Sequence, residues 1–179
     1  MKIEHLSDHN VSQMNCYVFD TNIWLYIYGP MAGSQARKQR NYSNLLREIL
    51  DRNAGLFITS LILSEYINRF LRICFDQWKS SNKLYNADYK SDYRPTPEFA
   101  NSLSDVKAQV HDILSSCTAR MPDDFHSMDI NSLVDSISQQ ADYNDIYLVR
   151  RCERKGFWFV SDDTDIESIP SGSLQLLKE

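Results

Sequence analysis

Glycine and proline are scarce, with five of each in 179 residues. That scarcity excludes collagen-like and low-complexity chains, and with 42% apolar residues it points to a globular fold able to bury a sizeable core. No run of eighteen apolar residues occurs, so no transmembrane helix is expected. The opening stretch MKIEHLSDHNVSQMN lacks the apolar middle of a secretory signal, and a cytoplasmic location is expected. Cysteine is limited to Cys16, Cys74, Cys117 and Cys152, with no CxxC pair. Free thiols in a reducing compartment are therefore expected, not disulfides or zinc ligands. The histidines (His5, His9, His111 and His126) show no paired ligand spacing and read as surface residues. A basic excess is also missing: the net charge of -5 does not advertise a polyanion binder. Local basic patches, and not the total, govern counterion release, so the class stays open. Internal repeats and heptads are absent too, and a single domain over 1–179 is the simplest expectation.

What is present is an alternation of short apolar runs and long amphipathic ones. CYVFD (16–20), LFIT (56–59) and FWFVS (157–161) read as buried strands, and LQLLK (174–178) as a fourth. Between them lie helical stretches. One follows residue 20, capped by Thr21 or Asn22 and ending near Gly29-Pro30; a second runs from MAGSQARKQR to Asn53 and Gly55. A long third carries the stripe Leu63, Tyr66, Ile67, Phe70, Cys74 and Trp78. Helices starting near Pro97, over INSLVDSISQQ, and over ADYNDIYLVRRCERKG with Gly156 as terminator complete the set. SSNKLYNADYKSDYRPTPEF (80–99) is polar and tyrosine-rich, and reads as an inserted loop or broken helix at about 80–97. The order β-α-α-β-α…α-β-β predicts an α/β fold: a three-layer α/β/α sandwich with a mainly parallel central sheet.

In such sheets the site lies at the carboxyl ends of the strands, which makes the positions of the acids informative. Asp20 closes the first strand, Glu65 follows the second, SDDTD (161–165) closes the third, and Asp145 opens the helix feeding that third strand. Each alone has a plain structural role: a helix cap for Asp20, an ion pair with Arg69 for Glu65, a helix-start acid for Asp145, a solvated turn for Asp162, Asp163 and Asp165. Together they are harder to dismiss, because carboxylates buried side by side are costly unless a cation neutralises them. Hard divalent ions take oxygen ligands, and such a site can activate water against a phosphodiester.

VFDTNIWL, SEYINRF, NDIYLVRRCERKG and FVSDDTDI, in that order and spanning about 16 to 177, resemble the PIN-domain nucleases. The resemblance implies a PIN-like fold in which Asp20, Glu65, Asp145 and Asp163 are the metal-binding, catalytic acids. In the last block Asp162 and Asp163 compete for one place; Asp163 is preferred because Ser161-Asp162 then falls where the family often has Thr-Arg. Asp165 becomes an auxiliary ligand. Asp142, one turn before Asp145, is either a second auxiliary or a helix-start acid. Thr21, Asn22 and Ser161 are expected to support the first-ranked acids by hydrogen bonds. The implied cofactor is Mg²⁺ or Mn²⁺, and the implied activity is hydrolysis of RNA by metal-activated water, as in VapC-type toxins that work beside a small antitoxin and often as homodimers.

For holding substrate, Arg69, Arg72, Arg150 and Arg151 are the candidates, with surface solvation as their plain reading. Tyr85, Tyr89 and Tyr93 recur every four residues among cations. They either stack unpaired bases or pack a helical insert onto the body. The competing function is a PIN-fold binding or scaffold module with a weakened site. A haloacid-dehalogenase-type chemistry ranks low, since Asp20-Thr21-Asn22 lacks the second acid of an Asp-x-Asp.

Overall fold

A computed structural model describes residues 1–30 and 32–179. Among them six strands form one wholly parallel sheet: β1 (Lys2–His5), β2 (Cys16–Phe19), β3 (Gly55–Ile58), β4 (Ala119–Arg120), β5 (Trp158–Val160) and β6 (Gln175–Lys178). Their spatial order is β1-β6-β5-β2-β3-β4. The helices are α1 (Thr21–Tyr28), α2 (Ala36–Asp51), α3 (Ser60–Asn82), α4 (Pro97–Ser116), α5 (Ile130–Asp135) and α6 (Tyr143–Lys155). They cover the sheet on both faces, giving the expected three-layer α/β/α arrangement. Met31, placed in the sequence reading at the start of the second helix, lies outside the described residues.

β2 lies in the middle because its residues tolerate nothing else. Tyr17, Val18 and Phe19 are each 0% exposed. A strand covered on both faces reads as a continuous apolar run instead of an alternation. It pairs with β3 through Tyr17↔Leu56 and with β5 through Phe19↔Val160. These registers bring the carboxyl ends of three strands level, so the chain leaves the core at Asp20, Thr59 and Ser161 on one edge.

Two strands escape the sequence reading. β1 falls in the polar opening stretch, and β4 in what reads as a connection after residue 117. Both are edge strands, short and largely exposed. Natural sheets guard such edges with charge and brevity, which erases the apolar pattern that reveals a strand. The helix expected over INSLVDSISQQ stops at Asp135. The stripe on α3 is rotated: Ile62, Tyr66, Phe70, Leu71 and Phe75 are its buried residues. After Asn82 the chain breaks, forms one π-helical turn at Tyr89–Tyr93 and resumes at Pro97. Tyr93 is buried among Phe75, Trp78 and Phe99. Tyr89 meets Phe75 edge-on and carries the Arg72 guanidinium over its ring. Two of the three periodic tyrosines thus pack the insert onto the body, and Tyr85 stays exposed.

The histidines also need one correction. The His9 side chain is 3% exposed, held by Glu4 at 2.7 Å and the Tyr17 hydroxyl at 2.8 Å. A buried imidazole is stable there because both ring nitrogens find partners.

Candidate active site

Asp20 is the N-cap of α1, the plain structural role read for it from the sequence, and neither Thr21 nor Asn22 takes that place. Its Oδ1 accepts the Thr21 amide at 2.6 Å. Its Oδ2 accepts Asn22 Nδ2 at 2.9 Å and the Ser161 hydroxyl at 2.7 Å. Ser161 in turn accepts Asn22 Nδ2 at 3.2 Å and the Asp163 amide at 3.1 Å. One hydroxyl from the end of β5 therefore ties the acid of β2 to the backbone that carries Asp163. Glu65 enters from the second turn of α3, whose start is fixed by Thr59 accepting the Ile62 amide at 3.1 Å. Thr21 Oγ1 donates to Glu65 Oε2 at 3.0 Å, and Arg69 holds Glu65 Oε1 at 3.2 Å. Asp145 comes from the first turn of α6, where Asp142 is the N-cap and accepts the Asp145 amide at 3.0 Å.

The electrostatics show that these acids feel one another. Burial pushes the Asp20 carboxyl up to about 6; hydrogen bonds from Ser161 and Thr21 oppose this, and the charges of Glu65 and Asp163 add to it. Burial also pushes Asp145 up to about 7, reinforced by the charges of Asp142, Asp20 and Asp163. Raised carboxyls on neighbouring elements are the signature of negative charge gathered where water is partly excluded.

The adjacent pair Asp162 and Asp163 separates cleanly. Asp162 turns toward α2, where Lys38 sits 2.6 Å from Oδ2 and the Tyr42 hydroxyl donates to Oδ1. Asp163 is the one whose field reaches Asp20 and Asp145. Asp165 is exposed, and its amide donates to Asp163 Oδ1 at 3.0 Å. Lys38 and Tyr42 went unassigned in the sequence reading; the run ARKQR was the only signal, and it named no partner.

Scans of the sequence against family models and curated proteins return no match. Among solved structures, the fold is similar to VapBC2 from Rickettsia felis bound to a DNA fragment from their promoter. The TM-score is 0.55 at 16% identity, over 91% of this chain and 98% of that one. The fold is PIN-like. PAE2754 from Pyrobaculum aerophilum aligns with a TM-score of 0.45 at 13% identity, over 90% and 91% of the two chains. Identities this low speak for the fold alone.

Within this PIN-like fold the donor set can be weighed for a cation. It is made of hard carboxylate oxygens, which suits Mg²⁺ or Mn²⁺ and not zinc. Asn22 Oδ1 is a further oxygen, buried without a hydrogen-bond donor. Among the described residues no three His, Cys, Asp or Glu side chains stand close enough to hold an ion together. The set therefore fits an ion leaning on one or two carboxylates with water in the remaining places, which is the ordinary habit of Mg²⁺. It does not fit a closed cage.

Of the four arginine candidates, Arg69 stands beside the acids. Arg72 lies over the Tyr89 ring at 4.2 Å, away at the insert. Arg150 pairs with Glu153 at 2.7 Å. Arg151 is 2% exposed and donates to the Pro122 carbonyl. Arg150 is thus paired within α6 itself, whereas Arg151 ties that helix to the chain at Pro122. Among the described residues no helix is long and apolar enough to cross a membrane.

Proposed function

We propose that this protein is a metal-dependent ribonuclease that hydrolyses RNA phosphodiester bonds. The observation that carries the reading is the gathering of Asp20, Glu65, Asp145 and Asp163 from four separate elements at one sheet edge, with Asp20 and Asp145 raised first by burial and further by the charges of neighbouring acids. A divalent cation, Mg²⁺ or Mn²⁺, supplies Lewis-acid polarisation of the phosphoryl group and of water when bound. The chain's own residues do the rest. Asp20 and Asp163 offer oxygens whose orientation is set by Ser161, Asn22 and the Thr21 amide. Glu65 is aimed by Thr21 and paired with Arg69. Asp145 faces the others from the opposite wall and is suited to accept a proton at its carboxylate near neutral pH. Asp142 acts as a backbone cap in this scheme by accepting the Asp145 amide, and Asp165 supports Asp163 by donating its backbone amide to Oδ1.

The likeness to VapBC2 supports, at the level of the fold, a toxin of a toxin–antitoxin pair, with a small antitoxin protein and a second copy of the chain as partners in the cytoplasm. One observation favours the other reading, a nucleic-acid-binding or scaffold module with little cleavage: among the described residues no three acids converge on a ready ligand sphere. The deciding experiment is cleavage of RNA by the purified protein with Mg²⁺ or Mn²⁺ and with EDTA. Cleavage that requires the ion and disappears in Asp20→Asn is expected. Cleavage at the wild-type rate in Asp20→Asn means the site is misassigned. Absence of ion binding by calorimetry gives the scaffold reading the field.

A further inference from the structure

A separate concavity of about 400 Å³ adjoins the acids. Ser60, Leu61 and Ser64 form one wall, on the same turns of α3 that lead into Glu65. Tyr143 and Tyr147 form the other, on the turns of α6 that carry Asp145. Phe125, from the short turn Phe125–Ser127, stands at the rim and is 52% exposed. The chemistry above makes no use of these aromatics.

The rings are held in place. Tyr143 and Tyr147 stack at 5.8 Å with 19° between their planes. The Tyr147 hydroxyl donates to Asp123, and the Arg151 guanidinium lies 5.5 Å from its ring. The Arg151 side chain is 3% exposed, and its Nε has no hydrogen-bond partner. The wall is therefore a rigid, cation-backed aromatic platform, faced by two exposed serine hydroxyls and a solvent-facing phenylalanine. Flat ligands with an aromatic face and polar edges suit that lining. Because the two walls are the same helix starts that carry Glu65 and Asp145, a strand with a phosphate at the acids brings its neighbouring base to this groove.

We propose that the groove is a stacking subsite for an unpaired nucleobase of a single-stranded substrate, with Phe125 and Tyr143 as the contacting rings. The strand's phosphate placement rests on the nuclease reading; the stacking does not. A duplex keeps its bases stacked on one another and has none to offer, so the subsite selects single strands and splayed loops.

The test is fluorescence anisotropy with a phosphorothioate RNA of about ten nucleotides, a length covering such a site. Phe125→Ala and Tyr143→Ala are each expected to weaken binding about fivefold to a hundredfold, the range for one lost base–aromatic stack. Phe125→Tyr and Tyr143→Phe restore it. A single abasic nucleotide at one position reproduces the loss in the wild type and adds nothing in Phe125→Ala. Phe125 is exposed, so its truncation leaves the core intact even if Tyr143→Ala fails to fold. Wild-type affinity in Phe125→Ala, or abasic and Phe125→Ala losses that simply add, overturns the proposal; a groove built for a protein partner gives the first of these results. Ion-dependent cleavage with silent aromatic variants sinks the subsite alone. Aromatic-dependent binding with no cleavage under either ion sinks the nuclease reading alone.

Discussion

Ser161 is a single hydroxyl with three duties: it donates to Asp20 Oδ2 and accepts from Asn22 Nδ2 and the Asp163 amide. Ser161→Ala removes all three bonds without removing an acid, and leaves Asp20 Oδ2 with Asn22 Nδ2 alone. Support of this kind is worth about 10–100-fold in ion affinity or activity, and loss of that size is expected for Ser161→Ala in calorimetric Mg²⁺ titration. Asp20 itself sets a stability test. Its carboxyl ordinarily titrates at 3.8 and is held at about 6 in the folded chain. A raised acid means folding favours the protonated form. The penalty is therefore absent below 3.8, grows as pH rises toward 6, and is constant above. By linkage that penalty is about 3 kcal/mol. In EDTA at pH 7, Asp20→Asn is expected to melt higher than wild type, and at pH 3.5 the gap closes, as followed by calorimetry. The Asn22 amide can turn to offer its unpartnered Oδ1 to the new side chain. A lower melting temperature for Asp20→Asn at pH 7 contradicts the assignment of Asp20 as a strained, charge-crowded acid. Residue identity at this scale was partly legible. Asp20 and Glu65 could be named from their places after strands, and Asp145 from its place at the start of the helix before β5. Asp162 against Asp163 could not, because neighbours on an extended segment point to opposite sides and the choice was made by Lys38 and Tyr42, more than a hundred positions away.

At the scale of elements, α6 shows how a helix start serves two ends. Asp142 caps it and also lends its charge to Asp145. The two effects come apart by substitution. Asp142→Asn keeps the cap and removes the charge, whereas Asp142→Ala removes both. Both variants are expected to lower the Asp145 titration point from about 7, as read by NMR. Asp142→Ala alone is expected to lose about 1 kcal/mol of stability. The far end of the same helix closes at Gly156, whose φ of 67° suits glycine and let the stop be read from sequence. The central strands were legible for the same kind of reason: a strand buried on both faces has no freedom in composition. β1 and β4 were illegible because an edge strand is defined by what pairs with it, not by what it contains. The insert was legible as a break, and the outcome for Tyr89 and Tyr93 was packing, with stacking capacity found instead at Phe125 and Tyr143.

For the whole molecule, the net charge of -5 and the acid cluster set a rule for approach. Without a divalent ion, the edge proposed to receive phosphate repels it. RNA affinity is expected to rise when Mg²⁺ replaces EDTA at constant ionic strength, and to respond less in Asp163→Asn. Equal affinity in both buffers places the nucleic acid elsewhere on the surface. The alternation of strand and helix made the three-layer sandwich legible, and the sequence order of the acids made the site's edge legible; neither gives the convergence distance of the side chains, which depends on rotamers and on what binds.

The pairing of β1 with β6, Lys2 against Gln175 through His5 against Lys178, has a temporal side. β6 is the sole neighbour of β1 in the sheet. Among the described residues β1 thus waits for a partner some 170 residues further along the chain. Until then its backbone donors and acceptors are served by water, and β5 also lacks one flank. A chain halted before residue 170 leaves β1 unpaired and β5 open on one side, a form prone to intermolecular pairing.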